Sequence, residues 1–326
     1  MTANGTGAVG AARRRRQTTT GLKRGLLVVD GAHRTYRHSR PSGPPAPLLV
    51  VLHGSGSTGK AMAVLTGLGT RAPAAGFSVV FPDCRGKVWH NGVCWARNRG
   101  VDDERFIAAL VKQLVVSGMV RGGAVFLIGI SAGASFAEHL ARHALVPAVG
   151  VVLVGGTATE SSRHRSPSPA SPAALLSFQG TADPYDGGQI GSLGLLGRRF
   201  ARLRLGPRRT GVAVQTVAAD WAAVNGHSPT PSVERLACPP GRPPVTRLSW
   251  EAPDCRPVVL YRIDGAGHGW PGAVRPRRAG GHAEVASHLD ATDILLEMAK
   301  REVDVLDASV PDEGDEGTGS RADAGA

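Results

Sequence analysis

Short apolar runs recur along the chain and alternate with stretches of helical periodicity. Six runs are almost continuously apolar, as in strands of a parallel sheet that is covered on both faces; they occupy residues 47–54, 77–83, 124–131, 148–156, 173–180 and 257–265. Four stretches have the spacing of helices: residues 101–116, 132–144, 212–224 and 282–302. This alternation predicts an α/β fold with a mostly parallel, doubly wound sheet and helices on both faces.

The ends of the chain and two internal segments lack this pattern. Residues 1–24 are polar, small and basic, and residues 306–326 are acidic and rich in glycine, so we expect disordered tails on either side of one folded domain at 25–305. Segments 158–172 and 227–256 are rich in Pro and Ser and are expected to be excursions from the sheet. No apolar run approaches the roughly 18 residues that span a bilayer, so we expect no transmembrane segment.

The strong positive charge adds one alternative. The formal net charge is +12, and the arginines concentrate in residues 13–16 and 198–209. Aromatic residues, on which bases would stack, make up only 5% of the chain. We therefore expect a solvated basic face and no nucleic-acid partner, with a non-catalytic basic binding module as the alternative.

Four cysteines lie at positions 84, 94, 238 and 255. No pair has C-x-x-C spacing, so we expect no metal site. The local pairs Cys84–Cys94 and Cys238–Cys255 would suit an oxidising compartment, whereas four free thiols would suit the cytosol. The basic N-terminal stretch is not followed by the apolar segment of an export signal, so the residues leave the localisation open.

Residues 129–133 read Gly-Ile-Ser-Ala-Gly and match G-x-S-x-G, the sharp strand-to-helix turn that lifts a serine above a sheet edge. Both glycines are expected because a side chain at either position would clash inside so tight a turn. The short motif is weak alone, since a glycine-rich turn with a bystander serine would look the same. Its place between a predicted strand and a predicted helix makes Ser131 the candidate nucleophile.

A serine hydroxyl needs an adjacent base, and an acid must orient that base. In this arrangement the order along the chain is Ser, then Asp or Glu, then His. Asp183 follows the strand at 173–180, and His268 lies in a glycine-rich segment after the strand at 257–265. Asp186 and then Asp264 are the alternatives to Asp183. Four other histidines fit the order less well: His139, His143, His282 and His288.

The oxyanion that forms during acyl transfer needs donors already in place. We expect the backbone N–H groups of Ala132, next to the nucleophile, and of Ser55, in the loop after the first predicted strand. Such a reaction requires no cofactor.

The same loop supports a competing hypothesis. Residues 54–60, from Gly54 to Lys60, match most of the phosphate-binding pattern G-x-x-x-x-G-K-[ST] and would imply a nucleotide-dependent enzyme. Ala61, however, stands where a hydroxyl should bind Mg²⁺. That hypothesis also leaves the later Ser, Asp and His positions without a role.

Taken together, these segments resemble the polyhydroxybutyrate depolymerase and feruloyl or acetylxylan esterase group of α/β-hydrolases, over about residues 26–300. The resemblance rests on LLVVLHGSGSTG, FPDCRGKVWHNGVCW, GISAGASFAEHLA, FQGTADPYDGG, WAAVNG and LYRIDGAGHGWPG, in that order. It implies an α/β-hydrolase fold, a serine esterase with a polymeric or small ester substrate, and an extracellular location. Ser131, Asp183 and His268 fall on the catalytic triad of that group.

The resemblance also implies roles for other residues. Trp89, Tyr185 and Trp270 fall near the acyl or sugar pocket, and Asp102 and Asp103 are expected to cap the following helix.

Three departures from the group stand out. The acid loop at 183–188 is shorter than usual, and the arginine-rich insertion near 190–210 has no counterpart. His227 stands where the group often has a cysteine, which puts an inherited disulfide in doubt and leaves Cys238 as the partner for Cys255.

Overall fold

The computed structural model describes residues 21–86, 88–90, 102–183, 211–273 and 288–309. Within these ranges the strands are Lys23–Val29 (β1), Ala32–Ser39 (β2), Ala46–Leu52 (β3), Ser78–Pro82 (β4), Val120–Ile130 (β5), Gly150–Val154 (β6), Ala174–Gly180 (β7), Ser232–Leu236 (β8), Val245–Ala252 (β9) and Cys255–Ile263 (β10). The helices are Gly59–Thr66 (α1), Leu68–Ala74 (α2), Asp103–Val116 (α3), Ala132–Arg142 (α4), Glu160–Arg165 (α5), Val214–Val224 (α6) and Ala291–Ala308 (α7).

All ten strands form one sheet in the order β1-β2-β4-β3-β5-β6-β7-β10-β9-β8. The six inner strands, β4 to β10 in this order, are parallel, and an antiparallel pair extends each edge. The carboxyl ends of the inner strands therefore meet at one edge of the sheet, which is where ligands bind in open α/β sheets.

Two apolar cores lie on opposite faces of this sheet. Along β3, Leu48, Val50 and Leu52 pack with α3, α4 and α6, while Leu49 and Val51 pack with α1, α2 and α7. Successive residues of a strand point to opposite faces, so a near-continuous apolar strand serves both cores. The expected mostly parallel sheet with helices on both faces is confirmed.

The structure adds elements that the apolar runs did not predict. β1 begins at Lys23, inside the expected N-terminal tail, and β8 and β9 lie inside the segment 227–256 that was expected to be an excursion. β1 and β8 form the sheet edges and are largely exposed. An edge strand buries little surface, so its sequence need not be apolar.

The last helix begins later than its periodicity predicted. The carboxylate of Asp290 accepts hydrogen bonds from the N–H groups of Thr292 and Asp293, and α7 starts at Ala291 and ends at Ala308. The prediction from residue 282 is wrong for 288–290, because Asp290 caps the helix at this point. Residues 282–287 lie outside the described ranges.

The proposed bridge between Cys238 and Cys255 is not formed, since both are free thiols, as is Cys84. Cys238 follows the end of β8 where Leu236 pairs with Val245, whereas Cys255 pairs with Ala252 at the other end of β9. The eight residues of β9 span roughly 23 Å at about 3.3 Å per residue, far beyond the ~7 Å Cα separation that a disulfide tolerates. Cys94 lies outside the described residues.

No helix in the described ranges is both long enough and apolar enough to cross a membrane.

Candidate active site

Ser131 alone forms the turn between β5 and α4. Its backbone has φ 57° and ψ −123°, a region that residues with a side chain rarely occupy. The Ser131 N–H donates to the carbonyl of Val154 at 2.9 Å, so the neighbouring strand β6 supports this conformation. The residue is partly exposed, and strained backbone of this kind is concentrated at functional sites.

The two glycines beside Ser131 have no room for a side chain. A Cβ on Gly129 would lie 2.2 Å from the carbonyl oxygen of Gly133, and a Cβ on Gly133 would lie 2.3 Å from that of Leu52. Backbone atoms form both obstacles and cannot move aside as a side chain could. The expectation that this turn requires both glycines is confirmed.

The loops after β7 and β10 are joined by hydrogen bonds. The Ala182 N–H donates to the Ala266 carbonyl at 3.0 Å, and the Gly265 N–H donates to Thr181 Oγ1 at 2.8 Å. A Cβ on Gly180 would lie 2.2 Å from the Ala266 oxygen, so only glycine permits this approach. Because β7 and β10 are parallel neighbours, the two loops leave the sheet side by side.

Asp183 and His268 meet through these loops. His268 Nδ1 lies 2.8 Å from Asp183 Oδ2; the Asp183 side chain is 1% exposed and the imidazole 23% exposed. Since a carboxylate only accepts, Nδ1 carries the proton, and this tautomer leaves Nε2 as the basic nitrogen. A base of this kind can take a proton from a serine hydroxyl.

The alternatives to Asp183 fare differently. The Asp264 carboxylate is partly exposed and lies 3.7 Å from Arg262 Nε, with which it forms an ion pair. Asp186 and His282 lie outside the described residues. Among the aspartates that the structure describes in these loops, Asp183 is the one hydrogen-bonded to His268.

Two glycines at the end of β6 lie between Ser131 and the acid–base pair. Gly155 has φ +56°, and a Cβ on it would lie 3.0 Å from His268 Nδ1 and 3.1 Å from Asp183 Oδ2. A Cβ on Gly156 would lie 2.4 Å from the Ser131 carbonyl oxygen. The Asp183–His268 pair thus lies against Gly155, and Ser131 lies against the next residue, Gly156. Sequence reasoning missed this pair, although a Gly-Gly step directly after an apolar strand was a visible signal.

The loop after β3 runs beside Ser131. A Cβ on Gly54 would lie 3.4 Å from Ser131 Cβ, and Ser55 follows at an exposed position. Ala132 is the first residue of α4, whose first N–H groups have no partner within the helix. Both expected oxyanion donors therefore belong to segments that border Ser131.

The phosphate-binding hypothesis for residues 54–60 is wrong. The Gly59 N–H donates to Asp83 Oδ1 at 2.7 Å, so a carboxylate already occupies the N-terminal end of α1. A phosphate site at a helix N-terminus needs unpaired N–H groups, whereas a phosphate bound here would meet the Asp83 carboxylate. Lys60 is exposed. The arginine-rich segment 198–209, which motivated the binding-module hypothesis, lies outside the described residues.

The prediction that Trp89 and Trp270 line the substrate pocket is also wrong, since each is 1% exposed. The Trp89 indole N–H donates to the His53 carbonyl at 2.7 Å, and that of Trp270 donates to Thr292 Oγ1 at 3.0 Å. Large apolar rings with a satisfied N–H are more stable in the core than at a solvated pocket wall. Tyr185 lies outside the described residues.

Asp102 and Asp103 have separate roles. Asp102 caps α3, because its carboxylate accepts the Arg105 N–H at 2.8 Å, as expected. Asp103 does not cap the helix: it is fully buried, pairs with Arg34 and accepts the His90 N–H at 2.7 Å. It holds the chain that carries Trp89 against α3.

A second group of polar side chains joins α3, α4 and α5. His139 Nδ1 lies 3.0 Å from Ser162 Oγ, and His139 Nε2 lies 2.8 Å from Glu104 Oε1. His139 and Ser162 are each 1% exposed. The hydrogen bond from His139 lowers the pKa of Glu104. Burial lowers the pKa of the adjacent His143 to about 4, with a further contribution from the charge of His139.

Metal ligands would have to come from a cluster of His, Cys, Asp or Glu side chains. In the part of the chain that the structure describes, no group of three or more such residues could hold an ion.

The sheet order, the two helical layers and the turn at Ser131 define an α/β-hydrolase fold. The acetyl xylan esterase from Aspergillus awamori has the same fold, with a TM-score of 0.53 and 13% identity over 76% of this chain and 94% of that one. The family described as Esterase PHB depolymerase matches residues 39–166. A protein named Putative esterase NocK, from Nocardia uniformis subsp. tsuyamanensis, is 29% identical over 298 residues, or 86% of this chain and 81% of NocK.

The chain is therefore similar to the polyhydroxybutyrate depolymerase and esterase group of α/β-hydrolases, and the family match and the similarity to NocK support an ester hydrolase. The resemblance inferred from the sequence is confirmed.

Proposed function

We propose that this protein hydrolyses carboxylic esters through an acyl-enzyme, with Ser131 as nucleophile, His268 as general base and Asp183 as the acid that orients it. The observation that carries the proposal is the 2.8 Å contact between His268 Nδ1 and Asp183 Oδ2. This pair lies against Gly155, and strained Ser131 lies against the next residue, Gly156. A nucleophile, a base and an orienting acid are the three parts that acyl transfer requires.

The proposed reaction has two steps. His268 Nε2 takes the Ser131 proton while Oγ attacks the ester carbonyl, and the tetrahedral oxyanion accepts hydrogen bonds from the Ser55 and Ala132 N–H groups. The C–O bond to the alcohol then breaks, and the alcohol leaves with the proton from His268. In the second step His268 activates a water molecule that releases the carboxylic acid. Asp183 holds the tautomer and stabilises the imidazolium in both steps.

A fluorophosphonate probe, which forms a covalent bond with an activated serine, tests the nucleophile. We expect labelling of the wild-type protein and of Ser55→Ala, since Ser55 contributes its backbone N–H and not its hydroxyl. Labelling should be absent in Ser131→Ala. Equal labelling of Ser131→Ala and the wild type, located by mass spectrometry at another residue, would contradict the proposal.

We propose a substrate among three kinds of ester: a polyhydroxyalkanoate-type polyester, a feruloylated sugar and an acetylated xylan. These esters require acyl pockets of different size and polarity, so the shape of the pocket in this protein sets the ratio of their kcat/KM values. Turnover of short model esters of each kind, compared at equal concentration, would rank them. Equal, minimal turnover of all three would exclude this set.

A further inference from the structure

His53 occupies a buried position directly after β3 and directly before the loop that carries Ser55. The residue is 1% exposed, yet both nitrogens of its ring have polar contacts. Nδ1 lies 2.8 Å from the carbonyl oxygen of Gly54, and Nε2 accepts the backbone N–H of Cys84 at 3.2 Å. Neither contact involves substrate, and the mechanism above gives His53 no role.

These two contacts fit one protonation state of the ring. The Cys84 N–H can only donate, so Nε2 presents its lone pair, and the Gly54 carbonyl can only accept, so Nδ1 carries the hydrogen. The neutral Nδ1–H tautomer satisfies both. Burial lowers the pKa of His53, against smaller opposing effects from the Gly54 carbonyl, Asp83 and Asp103, which keeps this neutral form in place at neutral pH.

The contact to Gly54 fixes the orientation of one peptide group. The Gly54 carbonyl accepts from His53 Nδ1 and also from the Ser57 N–H at 3.1 Å. In a planar trans peptide the C=O and the next N–H point in opposite directions. Two donors that hold the Gly54 oxygen therefore also fix the direction of the Ser55 N–H, in a loop whose Gly54 lies against Ser131.

We infer that His53 is a positioning residue for ester hydrolysis: its Nδ1–H holds the Gly54–Ser55 peptide so that the Ser55 N–H meets the oxyanion. This inference rests on the proposed function. A donor that is already oriented stabilises the transition state without reorganising during the reaction, which is the main reason that oxyanion donors are effective.

The surroundings of His53 hold the imidazole in this orientation. The Trp89 indole N–H donates to the His53 carbonyl, and the two rings lie 4.8 Å apart between centroids. Phe136 of α4 stacks on the other side of Trp89 at 5.2 Å. The helix that begins beside the nucleophile and the loop that carries Ser55 are thus packed against the same tryptophan.

Two substitutions separate the roles of the two ring nitrogens. Asparagine places an N–H donor close to the position of Nδ1, whereas glutamine places its amide close to Nε2. We expect His53→Asn to keep kcat for a p-nitrophenyl ester within about threefold of the wild type. His53→Gln should lower kcat about tenfold to hundredfold with KM nearly unchanged, a smaller loss than the 10²–10³ of deleting an oxyanion donor.

His139→Leu is the matched control, because it removes a second buried histidine with two polar contacts that lies away from the Ser55 loop. Its kcat should stay near the wild-type value even where thermal unfolding shows a loss of stability. If His53→Gln matches His53→Asn in kcat, or if its loss appears in KM alone, the positioning role is wrong. If the wild-type protein neither hydrolyses the ester nor reacts with the fluorophosphonate, the proposed function fails instead.

A measurement on the unmutated protein covers the case in which the His53 variants do not fold. Two-bond ¹H–¹⁵N correlation spectra at pH 7.5 report the tautomer of a histidine directly. We expect His53 as the neutral Nδ1–H form, and we expect the Ser55 amide proton to shift downfield when an alkyl boronic acid forms a tetrahedral adduct with Ser131. An Nε2–H tautomer, or an unchanged Ser55 amide in the adduct, would overturn the inference.

Discussion

Among the described residues, two hydrogen-bonded sets bring a histidine to a carboxylate and near a serine. In one, His268 Nδ1 lies 2.8 Å from Asp183 at the carboxyl edge of the sheet, near Ser131. In the other, His139 Nε2 lies 2.8 Å from Glu104, and its Nδ1 lies 3.0 Å from Ser162 Oγ. The second set has a serine and an acid within hydrogen-bond distance of its histidine, so hydrogen-bond distances alone would select it as a catalytic triad.

The two sets differ in what surrounds the serine. Ser162 is 1% exposed and lies in a regular helix whose first turn is capped by Thr159, so no substrate reaches it and no strain lifts it outwards. Ser131 is partly exposed and has φ 57° in a turn bounded by glycines. Backbone conformation and access therefore distinguish Ser131, the proposed nucleophile, from the buried hydroxyl of Ser162. The length of a hydrogen bond does not.

The largest expected effect separates the two serines directly. Ser131→Ala should lower kcat for a p-nitrophenyl ester by about 10⁴-fold or more, because the covalent step is lost. Ser162→Ala should leave kcat within about threefold and cost roughly 1–3 kcal/mol of stability, since it leaves buried partners unsatisfied. Initial rates and thermal unfolding of both variants provide the test. Similar rates in the two variants would show that Ser131 is no more important for the reaction than Ser162.

Substitutions of Asp183 and Glu104 should differ in their effect on kcat in the same way as those of the two serines. Asp183→Asn should lower kcat about 10³- to 10⁴-fold, because an amide favours the wrong tautomer of His268. Glu104→Gln should change kcat less than about threefold while it weakens the packing of α3 against α4. Steady-state kinetics at a pH above 7.5 would show whether the losses fall as expected; a large loss in Glu104→Gln would mean that the second set takes part in the reaction.

A methyl group at the end of β6 should have an intermediate effect. In Gly155→Ala the new Cβ would lie 3.0 Å from His268 Nδ1 on a backbone with φ +56°, so we expect a loss of about tenfold in kcat and about 1–2 kcal/mol of stability. Gly76→Ala is a matched control, since Gly76 has φ +89° and open space at its Cβ. It should lose stability alone. Equal activity of Gly155→Ala and Gly76→Ala would show that the His268–Asp183 pair tolerates displacement.

The smallest expected effect concerns pH. Burial lowers the pKa of His143 to about 4 in the folded protein, below the ordinary value of about 6.5 in the unfolded chain. The unfolded chain therefore takes up a proton first as the pH falls from about 6.5 to 4, and the folded state loses stability over that window.

His143→Gln should flatten this dependence. We expect its Tm to fall less than that of the wild type between pH 7 and pH 4.5, by about 2–4 °C, a small figure because the ring is partly exposed. The hydrogen bond that lowers the pKa of Glu104 contributes stability above the ordinary carboxyl range and loses it only at lower pH. Parallel slopes for the two proteins in this window would assign the dependence to other groups.

The sequence predicted the parts of this molecule that depend on burial and on local backbone chemistry. All six apolar runs became inner strands, since an inner parallel strand must be apolar on both faces. The turn at Ser131 was predictable because its glycines are required by backbone contacts that lie within a few residues or on the adjacent strand.

The remaining parts depend on contacts between distant segments, which a single sequence does not contain. Nothing in the residues around Trp89 shows that its indole N–H would reach the His53 carbonyl in the core. The phosphate-binding pattern at 54–60 was misleading for the same reason, because the carboxylate that contacts Gly59 comes from Asp83, which directly follows β4. The edge strands β1 and β8 were not recognised, because the apolar part of β1 is only four residues long and β8 is mostly polar.

Gly155 and Gly156 contribute no functional group, yet the site is built around them. They directly follow β6, which lies between β5, the strand before Ser131, and β7, the strand before Asp183. Anyone who grafts the serine, histidine and aspartate of this protein onto another scaffold would therefore have to bring along a stretch of bare main chain as well. The graft must also reproduce the absence of a side chain at the positions of Gly155 and Gly156.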